Sequence, residues 1–132
     1  MSTSDYHIYT DIVSSGDYVT LDQDNLAGVV ATCPSSLSGA CGPETITISK
    51  VRSSGSYRFH VHNIDNISCD TCTHLADNGT FVQVFYDDES YNFDVPRRVG
   101  TLWTVFDFDN STGFTQINNM TNERLSSDVD LH

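Results

Sequence analysis

The residues able to do chemistry are four cysteines, five histidines and eighteen carboxylates in a chain of 132 residues. The cysteines form two close pairs, Cys33/Cys41 and Cys69/Cys72. Local pairing would close two short loops, Cys33-Pro-Ser-Ser-Leu-Ser-Gly-Ala-Cys41 and Cys69-Asp-Thr-Cys72. An even cysteine count in a small acidic chain fits structural disulfides and an oxidising compartment. Other readings stay open: free thiols, a redox pair at Cys69/Cys72, or zinc held with His60, His62 or His74. The redox motif lacks the strand-to-helix context it needs. The Cys33/Cys41 spacing is not that of a zinc knuckle.

The carboxylates point to a hard cation. Leu21-Asp-Gln-Asp-Asn25 places Asp22 and Asp24 at i and i+2, on one side of an extended segment. Asp128 and Asp130 repeat that spacing near the far end. With Asn25 and Glu44 they offer the six or more oxygens that Ca²⁺ takes. The competing reading is that these acids solvate loops and edges. No EF-hand loop is present.

Nucleophilic catalysis finds little support. There is no Gly-x-Ser-x-Gly, phosphate-binding loop or His-Glu-x-x-His string. Pairing Cys69 or Cys72 with His60, His62 or His74 competes with disulfides and solvent-facing histidines. Eighteen acids make any carboxylate pair uninformative for glycoside hydrolysis. The chain is therefore expected not to be an enzyme. Carbohydrate binding is the alternative, with Tyr6, Tyr9, Tyr57, Tyr86, Tyr91 and Trp103 as stacking faces. Trp103 lies in an apolar run, however, and reads better as core. Four Asn-x-Ser/Thr sequons, at Asn66, Asn78, Asn110 and Asn119, are glycosylation candidates.

Composition limits the scaffold that can hold these groups. Ser, Thr, Asn, Asp and Gly make up 62 of 132 residues, and the net charge is −12. Such residues disfavour helix interiors, which excludes a coiled coil or helical bundle. With six basic residues there is no cationic face for nucleic acid, and nothing drives the chain to anionic membranes. No stretch is apolar for long enough to insert into a membrane, and the first ten residues are polar, without a signal-peptide pattern.

The pattern predicts about nine short strands, over 6–13, 18–22, 28–32, 44–51, 56–63, 80–87, 91–95, 101–108 and 114–118. Their spacing fits an all-β antiparallel sandwich or barrel. Ile46 and Ile48 alternate with Thr45, Thr47 and Ser49; Tyr57, Phe59 and Val61 alternate with Arg58, His60 and His62. Such strands bury one face. The runs Phe81–Tyr86 and Leu102-Trp-Thr-Val-Phe-Asp-Phe108 are apolar on both sides. They require a central position, a bulge or a covering partner.

Several strings carry a resemblance: Leu21-Asp-Gln-Asp-Asn25 with Gly42-Pro-Glu-Thr-Ile-Thr-Ile48, Gly55-Ser-Tyr-Arg-Phe-His-Val-His-Asn63, Val82-Gln-Val-Phe-Tyr86, Phe93-Asp-Val-Pro96 and Gly100-Thr-Leu-Trp-Thr-Val-Phe-Asp-Phe-Asp109. Over roughly residues 6–118 the chain resembles the YfaP-type bacterial secreted and surface modules of unknown function. The resemblance implies an Ig-like or transthyretin-like sandwich of 7–9 strands, extracellular, used as a building block of surface proteins. It lends no catalytic residues. Two departures stand out. The Cys33–Cys41 loop replaces a short Asp-x-Gly-Tyr-Gly link. The Asp-x-Asp-Leu-His-like strand that opens such modules stands at the end, as Ser127-Asp-Val-Asp-Leu-His132.

The expectation is thus a sandwich domain over 1–118 and a polar tail over 119–132, open as a loop, a short helical turn, or a final or donor strand. Asp128, Val129, Asp130, Leu131 and His132 would complete the chain's own domain or a neighbour's. A third reading is that the tail begins the next module of a tandem array. The function expected is a structural subunit at the cell surface, associating with itself or neighbouring modules, with a glycan as the other candidate ligand.

Overall fold

A computed structural model of the chain describes residues 2–3, 6–7, 19–23, 45–63 and 66–132. The segment expected as a strand over 28–32 lies outside them, as do Cys33 and Cys41. The described strands are β1 (Ser2–Thr3), β2 (Tyr6–His7), β3 (Val19–Gln23), β4 (Thr45–Ile48), β5 (Ser56–His62), β6 (Phe81–Tyr86), β7 (Glu89–Asp94), β8 (Leu102–Asp109) and β9 (Gly113–Thr121). One short helix, α1 (His74–Asp77), precedes β6, and a 3-10 helix spans Ser126–Leu131. The fold is all-β, with antiparallel pairing.

The chain divides into two compact units, Tyr6–Ser53 and Met1–Asp5 with Ser54–His132. In the first, β3 and β4 pair with Val19 opposite Ile48 and Leu21 opposite Ile46. Ile46 and Ile48 are half-buried while Thr45 and Thr47 are exposed, as the alternation requires.

In the second unit β1, β5, β8 and β9 lie side by side in that order. β8 is the central strand, and its first five residues are all buried. Directly opposed residues share a face. One face therefore carries Tyr57, Phe59, Phe106, Phe108 and Phe114. The other carries Arg58, His60, His62, Leu102, Thr104 and Asp107. The register explains how a strand apolar on both sides is accommodated. Pairing passes from Phe59–Phe106 to His60–Thr104, which leaves Val105 as an extra residue. Towards β9, two residues, Ile117 and Asn118, oppose that single one. These are β-bulges, which re-aim side chains across a sheet. Asn118 takes the left-handed conformation with φ 53°. Its Oδ1 accepts the indole N–H of the fully buried Trp103 at 2.9 Å.

The β6–β7 hairpin meets the aromatic face. Phe93 packs on Phe106 with centroids 4.9 Å apart, Tyr91 on Phe114 at 4.5 Å, and Tyr86 on Phe108 at 4.9 Å. Its turn places Asp87 and Asp88 at φ 53° and 62°. Two successive positive φ values match the twist of a two-residue hairpin. The β8–β9 turn is held by Asp109, whose Oδ1 accepts from the Ser111 amide at 2.7 Å and from the Ser111 hydroxyl. These bonds hold the Asp109 carboxyl below its usual range.

Candidate functional site

The polar face of β5 and β8 is where the C-terminal segment docks. Asp107 stands within an aromatic strand, so it needs a partner. Arg58, directly opposite, donates through Nε to Oδ1 and through Nη2 to Oδ2, both at 2.7 Å. This two-point geometry raises the guanidinium pKa, chiefly through the hydrogen bond to Asp107. The remaining nitrogen, Nη1, donates to the His132 backbone oxygen at 2.7 Å.

Glu123 is the second anchor. Its amide donates to Thr101 Oγ1 at 2.9 Å, and its carbonyl accepts from that hydroxyl at 3.0 Å. The same carbonyl lies 2.9 Å from His62 Nε2, which must carry the proton because a carbonyl only accepts. The carboxylate takes the Leu125 amide at 2.8 Å and His132 Nε2 at 2.7 Å. The Leu125 amide, then the His132 bond, hold the Glu123 pKa below its ordinary 4.5. Between the anchors, Val129 is buried.

A third tie runs to the cysteine loop. Cys69 and Cys72 are disulfide-bonded, with Cα atoms 5.5 Å apart, so one of the two expected local pairs is present. The loop presents Asp70, whose carbonyl accepts from Asn122 Nδ2 at 3.1 Å and whose carboxylate pairs with Arg124. In this oxidised form neither sulfur is a thiolate, so neither can ligate zinc or attack a substrate. His60, a candidate partner for both chemistries, instead places Nδ1 3.0 Å from Thr104 Oγ1.

Of the forms open to the tail, a short helical turn is the one seen. Asn119 and Met120 belong to β9, and Ser126–Leu131 is a 3-10 helix. Asp128 Oδ1 accepts from Ser127 Oγ at 3.1 Å. Asp22 lies on β3; Asp24, Asn25 and Glu44 lie outside the described residues. Among the described residues no three His, Cys, Asp or Glu side chains cluster as a metal site.

The aromatic candidates separate sharply. Trp103 and Tyr57 are core residues at 0% and 1% exposure, and Tyr91 is half-buried against Phe114. Tyr9 is outside the described residues. Of the sequon asparagines, Asn78, Asn110 and Asn119 are exposed and Asn66 is half-buried. Arg58, Glu123, Thr101 and Asp70, which hold the tail, escaped the sequence reading. The available signal was Asp107, a carboxylate set between Phe106 and Phe108 in the strand Leu102–Asp109, opposite the cationic side of an alternating strand.

No helix among the described residues is long and apolar enough to cross a membrane. Compared with known proteins, the chain matches no protein-family model, and neither the curated proteins nor the solved structures yield a significant match.

Proposed function

We propose that the chain is a non-enzymatic structural and assembly module of a secreted or cell-surface protein. The observation that carries this reading is the docked tail. Arg58, His62, Thr101 and Asp70 are all used to fasten residues 122–132 rather than to line an open site. The Cys69–Cys72 disulfide and the likeness of the strand motifs to YfaP-type sandwich modules add support. A tail seated on its own β5 favours a module that closes itself. A head-to-tail fibre would pass the same segment to the Arg58 and Thr101 of a second copy.

Truncation after Asn122 tests this. A chain that no longer folds, by circular dichroism and thermal melting, supports self-closure. A folded monomer that has lost higher assemblies by size exclusion supports exchange between copies. A truncated chain unchanged in both sinks the proposal. Calcium binding by Asp22, Asp24, Asn25, Glu44, Asp128 and Asp130 belongs to the same proposal. A ligand that binds only the folded state must raise Tm. Identical melting in Ca²⁺ and in EDTA would remove it.

A further inference from the structure

The β6–β7 hairpin turns a second face outward, and its composition is unlike that of the inner one. Phe81 is opposite Asp94, Gln83 opposite Asn92 and Phe85 opposite Ser90. All six are exposed, Phe81 at 63% and Phe85 at 76%. The two rings stand four residues apart on one strand, about 13 Å at ~3.3 Å per residue. The sheet does not claim them, because its ring contacts come from the inner face of the same hairpin, through Tyr86, Tyr91 and the buried Phe93. Exposed aromatic rings flanked by polar residues are a feature of interaction surfaces.

Charge selects the occupant. The hairpin, residues 81–94, carries Asp87, Asp88, Glu89 and Asp94 and no Lys or Arg; Arg97 and Arg98 follow it. Asp94 stands across from Phe81, and Asp87 and Asp88 form the turn beyond Phe85 and Tyr86, all exposed; Glu89 lies opposite Tyr86 on the inner face, where its carboxylate accepts from the Tyr91 hydroxyl at 2.8 Å. A second copy would bring the same carboxylates to the same place, on a chain of net charge −12, so this face repels itself. We infer that the outer face of the β6–β7 hairpin docks a cationic, apolar protein segment, whose apolar side chains cover Phe81 and Phe85 while Lys or Arg meets Asp94 and the turn carboxylates. Guanidinium groups also stack on exposed rings, so Phe and Asp act on the same partner. This inference concerns a face apart from the docked tail and stands whether or not the tail is exchanged between copies.

The test uses the full chain and fluorescein-labelled ten-residue peptides, titrated by anisotropy. One peptide alternates Arg and Leu, one Arg and Ser, one Glu and Leu. The expected result is binding of the Arg/Leu peptide, at least tenfold weaker for Arg/Ser, and undetectable for Glu/Leu. The double variant Phe81→Ser/Phe85→Ser, with its Tm unchanged, should lose at least tenfold for Arg/Leu. Asp94→Asn should lose severalfold and reduce the salt dependence. Equal binding of Arg/Leu and Arg/Ser, indifferent to both Phe changes, would show charge attraction alone and overturn the docking surface. So would absence of binding to any peptide. A dimer abolished by Phe85→Ser would install a second copy as occupant, and a neutral oligosaccharide displaced by the same change would install a glycan; either overturns the inference.

Discussion

The central strand β8 separates two solutions to one problem. On one side its side chains are covered by rings: Phe106 lies among Phe59, Phe93 and Phe114 at centroid distances of 4.9–5.4 Å. On the other, the Asp107–Arg58 pair and Thr101 join a polar chain that ends on Glu123 and His132. The ring face rests on area and close packing, which are nondirectional and indifferent to pH. The polar face rests on aligned donors and acceptors, each of which leaves a stranded partner when it is removed. The first builds the module. The second fastens a segment to it, in a manner that solution conditions can loosen.

The largest effect should come from the ring face. Phe106→Ala removes a nearly fully buried ring and should cost about 3–5 kcal/mol in denaturant unfolding, with the same pH dependence as the parent chain. A loss below 1 kcal/mol would show that the aromatic cluster is not the core. Next comes the bulge. Asn118→Ala strands the Trp103 indole N–H and puts alanine at a positive φ. Asparagine tolerates that conformation better than alanine, so the two losses together should cost about 2–3 kcal/mol. Asn118→Gly keeps the backbone free and loses only the hydrogen bond, so it should cost about half as much. Equal losses would mean that the conformation at Asn118 carries no strain.

The polar face is sharpened by a pH profile. Glu123 has its pKa depressed in the folded state, by the Leu125 amide first and His132 second. A depressed carboxylate contributes stability that is complete above its unfolded value near 4.5 and is lost as pH falls through the folded value. Glu123→Gln should therefore flatten the acid limb of Tm against pH below that point. Asp109 is depressed too, by Ser111, so part of the limb should survive. If the limbs of Glu123→Gln and the parent coincide, the tail is not fastened through this carboxylate.

Most strands were legible because their period is local. Tyr57-Arg-Phe-His-Val alternates, and the turn residues Asp87-Asp-Glu-Ser90 and Asn110-Ser-Thr-Gly113 punctuate. The two-sided burial of β8 was legible as a demand for a central position, a bulge or a cover. The structure supplies all three: neighbours β5 and β9, Val105 as the bulge, and the tail as the cover. What covers β8 was not legible. The pairing of Arg58 with His132, or of Thr101 with Glu123, joins residues 74 and 22 positions apart through tertiary placement alone. The tail left strand and helical turn both open for a physical reason. Ser-Asp-Val-Asp-Leu alternates as a strand does, but one buried Val satisfies a 3-10 turn equally well. The outward Phe81 and Phe85 were hidden too. A strand apolar on both sides does not reveal which side is wet.

The smallest effect tests whether the two faces are separable. Asp87 and Asp88 occupy the two positive-φ positions of the β6–β7 turn, where Asn-Gly is preferred. Asp88→Gly relieves the left-handed cost of a residue bearing a β-carbon. It also removes one of three adjacent like charges. Against this, glycine adds conformational freedom to the unfolded chain, which offsets part of the gain. The net should be a stabilisation of about 0.5 kcal/mol, read as a rise in the denaturant midpoint. Since the turn presents Tyr86, Tyr91 and Phe93 to the sheet, the gain belongs to the ring face. The acid limb set by Glu123 should stay where it was. An acid limb that shifts with Asp88→Gly would mean that the hairpin and the tail report on each other across β8, and that the faces form one cooperative device rather than a scaffold and a fastening.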